Sequence, residues 1–175
     1  LLYATIARGR RAKGGHVSST GVFALGYLAL WTAFSVVAVP LQFALEKAAL
    51  LSPMMKATSI ALAGAVLIAA GIYQWTPLKQ SCLRRCRSPL EFVLTHWREG
   101  TRGAFIMGVR HGMYCVGCCW VLMLLLFVGG VMNLLWIAGL AVFILVEKLA
   151  PAGHWIGRIA GLLLIGWGAA TLLTA

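Results

Sequence analysis

The chain has 175 residues, 61% of them hydrophobic, with 15 Lys and Arg against four acidic side chains and a formal net charge of +11. A mean hydropathy of +0.90 excludes an ordinary soluble domain, and the basic residues fall in short segments between apolar runs, a pattern that orients membrane helices rather than gripping nucleic acid. The expected class is all-α: a polytopic transmembrane helical bundle forming a single membrane domain over residues 1–175, with membrane lipid and no nucleic acid as partner.

Crossing the hydrocarbon core takes about 20 apolar residues. LLYATIA (1–7) reads as the last turns of a helix that begins before the first residue, so the chain is expected to be N-terminally incomplete. The basic run RGRRAKGGH (8–16) leads into a first complete span, 17–39, ending at Pro40. Residues 41–56 are amphipathic and suit the membrane interface; a second span follows at 57–75. Residues 76–102 form a Cys- and Arg-rich connecting segment, and three more spans run from about 103–128, 132–146 and 155–173. The reading is thus about five complete spans plus the end of an earlier one. Loops 8–16 and 76–102 carry four and six Lys or Arg, so both are expected in the cytoplasm. A faint echo links LEKAALLSP…AGAVLIAAG (45–71) with VEKLAPAG…AGLLLIGWG (146–168). Such repeats build helix pairs that flank a central element, here the helix between them.

That central helix carries HGMYCVGCCW (111–120). At about 100° per residue, His111, Cys115 and Cys118 fall within roughly 60° on one helix face, with Met107 a turn earlier and Cys119 about 40° from Cys115. One buried cysteine packs as a small hydrophobe and carries no signal; a histidine followed at i+4 by CxxCC is far rarer. Thiol and thioether donors suit monovalent copper, and Cys with His also suits zinc. Cys82 and Cys86 of CLRRC share a face if helical, and the flanking arginines are expected to favour their thiolates. They are candidates for a site shared with Cys115, or for a separate pair. Met107 and Glu147 are expected to support the ligands, Glu147 by orienting His111 or neutralising bound charge, with Lys148 as its alternative ion-pair partner. His16, His96 and His154 read as loop or interfacial residues.

YQWTPLK (73–79), CLRRCRSP (82–89), WREG (97–100), RHGMYCVGCCWVLM (110–123), GGVMN (129–133) and EK (147–148) occur here in an order and spacing that resembles a bacterial family of uncharacterised integral membrane proteins described as predicted metal-binding. The resemblance implies a multi-pass protein of the bacterial inner membrane. It carries over Cys82, Cys86, His111, Cys115, Cys118 and Cys119 as candidate metal ligands. Members of that family typically carry a further helix and a Met-rich segment ahead of the point where this chain starts.

The function expected is copper(I) handling, by delivery to or assembly of a partner metalloenzyme, with zinc as the alternative metal and a protein partner or larger membrane complex implied. Calcium, magnesium and manganese want oxygen ligands, and this chain has few carboxylates. No nucleotide-binding loop powers a pump, and binding is favoured over enzymatic activity, with no catalytic residue assigned. Two alternatives stand beside it. One is a thiol–disulfide oxidoreductase using the CxxC of Cys115 and Cys118; the other is an accessory structural subunit, whose Gly153xxxGly157 suits close helix packing. Covalent c-type haem is excluded by the absence of CxxCH.

Overall fold

In a computed structural model of the chain, the described residues are 6, 20–48, 50, 52 and 57–174. Apart from Ile6, the N-terminal helix end, the basic run 8–16 and the start of the first span lie outside them. Among the described residues there is no strand, and the chain is all-α as expected: α1 Thr20–Lys47, α2 Ile60–Trp75, α3 Pro77–Arg87, α4 Pro89–Thr95, α5 Gly100–Leu124, α6 Leu126–Gly129, α7 Leu134–Leu149 and α8 Gly153–Leu173.

The helix boundaries follow from local chemistry. Ser59 and Asn133 cap α2 and α7, accepting from the backbone N–H groups of Leu62 and Trp136. Thr76 ends α2 and opens α3: its hydroxyl donates to Tyr73 O and accepts from Lys79 N, and Pro77 supplies the first residue of α3. The axis bends by 66° there. Pro40 does not end the first span, because a proline removes one hydrogen bond and the following LQFALEK is a good helix former; α1 continues to Lys47.

Among the described residues, three helices are long and apolar enough to cross a membrane: Thr20–Lys47, Gly100–Gly129 (α5 with α6) and Gly153–Leu173. Counting the bent α2–α3 pair as one span makes up to four. The expected five are not reached because α7, with 16 residues, is about 24 Å long against a core of about 30 Å. Hydropathy sees the apolar run, but the Asn133 cap and the Ala150–Pro151 stop set the helix length.

The chain divides into two compact units. The first comprises the chain up to Val37 and Cys82–Cys118. Its core is Phe92, Val93, Ala104 and Met107, flanked by Val22, Phe23, Trp97 and Tyr114. The second comprises Ala38–Ser81 and Cys119–Ala175, with a core of Leu67, Ala70, Tyr73, Val121, Leu122 and Leu125. Here the Gly- and Ala-rich helices of the two echoing segments pack directly on each other. A Cβ on Gly71 would lie 2.6 Å from Gly161 O, and one on Gly168 2.9 Å from Gly64 O, so α2 and α8 run antiparallel at backbone contact.

Candidate metal site

The site in the first unit is built where α1 crosses α5. Gly26 of α1 lies against the Phe105 carbonyl, while Gly108 of α5 lies against the Phe23 carbonyl and the Tyr27 backbone nitrogen. Gly112 fits under Leu30, whose Cδ2 leaves 3.0 Å for any added Cβ. Because these positions carry no side chain, the two backbones approach until Phe23 and Tyr27 reach over the next turn of α5. His111 then sits among three rings, with centroids of Phe23 and Tyr27 each at 6.1 Å and of Phe92 at 5.3 Å. One turn on, a hydrogen bond of 3.2 Å joins the Tyr27 hydroxyl and Cys115 Sγ.

The thiols follow along the same helix. Cys115, Cys118 and Cys119 are all buried, and the Cys118 thiol donates to Cys115 O at 3.0 Å. Cys82 of α3 faces this turn. Its Sγ is 2.9 Å from where a Cβ on Gly117 would stand, so the missing side chain at 117 is the space the sulfur uses. Of the residues singled out in the sequence, Cys82 is therefore brought to the Cys115–Cys118 turn. Cys86 lies one turn further along α3 and is half-buried, and all five cysteines are thiols rather than disulfides. No group of three or more His, Cys, Asp or Glu side chains is pre-arranged to hold a metal ion among the described residues.

Met107 is 1% exposed within the core of the first unit, and its sulfur accepts from Arg98 N at 3.2 Å. Glu147 belongs to the second unit, not to that of His111. It ends α7 against Lys79, with Nζ at 2.7 Å from one carboxylate oxygen and 2.9 Å from the other. Lys79 also donates to Gln74 Oε1, and Lys79, Gln74 and Glu147 are 0%, 0% and 2% exposed. The ion pair drawn for Glu147 is thus with Lys79, 68 residues away in sequence.

A family model described as PpoB2, copper chaperone, matches residues 1–171. The chain belongs to the PpoB2 copper chaperone family. No curated protein and no solved structure matches it.

For a PpoB2-family chain the thiol electrostatics matter, since soft metals bind the deprotonated sulfur. Burial pushes the Cys82 thiol above its ordinary value, and the nearby Arg85 charge pulls the other way without overcoming it. The arginines of CLRRC therefore do not make Cys82 a resting thiolate: α3 turns its sulfur against α5, where desolvation outweighs the cation. Such a thiol stays protonated at neutral pH. Sequence inspection missed Tyr27, Phe23 and the Gly26–Gly108–Gly112 contact. The signal available was Gly108xxxGly112 directly before the cysteines, a small-residue spacing on the face that α1 covers.

Proposed function

We propose that this protein binds monovalent copper as cargo at the Cys115–Cys118 turn, with Cys82 as the third thiol and His111 beside it, and passes the ion to a partner copper protein. Membership of the copper chaperone family supports copper over zinc as that cargo. The observation that carries the residue assignment is Cys82 Sγ seated at Gly117, inside the turn between Cys115 and Cys118. Cys82 comes to that turn from a different helix, and none of the five cysteines is in a disulfide. A carrier must also release its ion, and a set of thiols completed only by the metal suits that better than a rigid cage. Cys86 and Cys119 stand as further ligands on the two helices, serving entry or transfer.

The proposed setting is a bacterial inner membrane, with the basic segments in the cytoplasm. The lengths of α1, α5–α6 and α8 support this. The nineteen residues after Arg110, His111–Gly129, contain no Lys, Arg, Asp or Glu and span about 28 Å, close to the thickness of a hydrocarbon core. Arg110 would then mark headgroup level, with Cys115 about 8 Å deeper.

The test is elemental mass spectrometry of the protein purified reduced and anaerobically, beside Cys115→Ser/Cys118→Ser and Cys82→Ser. Stoichiometric copper in the wild type, lost in the double variant and weakened in the single one, supports the assignment. No metal in any of them, with Cys115 and Cys118 joined by a disulfide after purification in air, transfers the function to thiol–disulfide exchange.

A further inference from the structure

 Ten of the chain's 15 Lys and Arg lie among the described residues, against four carboxylates. Two of those ten, Arg85 of α3 and Arg110 of α5, converge on a single neutral atom. Arg85 Nη1 donates to the Tyr114 hydroxyl with its guanidinium 4.9 Å from the centre of that ring, and Arg110 Nε donates to the same oxygen at 3.3 Å.

A phenol oxygen has two lone pairs, so these two bonds use its accepting capacity. Each guanidinium keeps four further N–H donors. Neither forms an ion pair with Glu91 or Glu99, the acidic residues of the same unit, which are both exposed. Two like charges held on one acceptor repel each other until an anion lies between them. The fork of a guanidinium matches the oxygens of a phosphate or carboxylate in shape as well as charge. Arg110 is half-buried and Arg85 exposed, so the place is open from the surface on the Arg85 side.

We infer that Arg85 and Arg110, meeting at Tyr114, form an oxyanion site that takes the phosphate of an anionic phospholipid headgroup. The lipid is favoured as the source because the uncharged stretch of α5 begins directly after Arg110, which puts this pair at headgroup depth on the side where basic residues gather. The site is independent of copper: it needs neither thiol nor metal. Its geometric consequence is that a bound phosphate ties α3 to α5 one residue before Cys115.

The experiment is thermal unfolding of the full chain in neutral detergent with added phosphatidylglycerol, phosphatidylcholine or inorganic phosphate, for wild type, Arg85→Gln, Arg110→Gln and the control Arg102→Gln. Phosphatidylglycerol is expected to raise the wild-type midpoint by about 2–4 °C over phosphatidylcholine, with the gain lost in Arg85→Gln and Arg110→Gln and kept in Arg102→Gln. An equal gain from inorganic phosphate with the same dependence on variants keeps the oxyanion site but makes free phosphate its ligand. A gain that persists in Arg85→Gln, or falls equally in Arg102→Gln, overturns the site in favour of diffuse attraction to the basic surface. Arg85 is exposed, so its variant decides the matter even if Arg110→Gln does not fold.

Discussion

Gly108→Ala tests whether the proposed copper ligands depend on how closely α1 meets α5. An alanine Cβ at 108 would stand 2.9 Å from the Tyr27 backbone nitrogen and closer still to the Phe23 carbonyl oxygen. Neither is a side-chain atom that can rotate away. Restoring ordinary contacts of about 3.5 Å, with the Phe23 oxygen the nearer of the two, parts the helices by about 1 Å or more, and the Tyr27–Cys115 bond, now 3.2 Å, lengthens past about 4 Å, where it is lost. The overpacking costs about 1–3 kcal/mol. Losing a hydrogen bond that orients a ligand weakens metal binding by about tenfold or more. The assay is competition for copper(I) against a chromophoric chelator under anaerobic conditions, paired with thermal unfolding. Gly166→Ala is the control, since nothing lies within 4 Å of its added Cβ, and Tyr27→Phe removes the hydroxyl without moving the helices. Gly108→Ala is expected to lose both stability and affinity, and Tyr27→Phe affinity alone. If Gly108→Ala matches Gly166→Ala in both measurements, the crossing does not position the site.

Lys79→Met strands the buried Glu147 carboxylate and is expected to cost about 3–5 kcal/mol, while Lys79→Met/Glu147→Leu recovers most of it; unfolding of the two variants in detergent measures the difference, and additive losses refute the coupling. Because burial raises the Cys82 pKa from 9.0, the folded state holds this proton more tightly than the unfolded chain. The resulting stability is full below about pH 9 and declines as pH rises through the folded value. Unfolding midpoints measured from pH 7 to 10.5 are expected to fall less steeply in Cys82→Ser, and alkylation of Cys82 at pH 8 to be slower than that of a model thiol.

Much of the first unit was legible because helix geometry is local. The apolar composition required helices, and the 3.6-residue period put His111, Cys115 and Cys118 on one face before any packing was known. The caps were equally local: Thr76 with Pro77 marks the α2–α3 break in the sequence itself. Span number was less legible, since hydropathy registers apolar length while α7 is limited to 16 residues by Asn133 and Pro151.

What the sequence by itself determined is the helical class, the positions of the thiols along α5 and the excess of cations over carboxylates. Tertiary structure alone decided which of those groups meet. Lys79 finds Glu147 across 68 residues, Cys82 takes the space left at Gly117, and Tyr27 reaches Cys115 because three glycines let two backbones touch. Such pairings depend on contacts between distant segments, and a helical period says which face a residue occupies but not what will cover it.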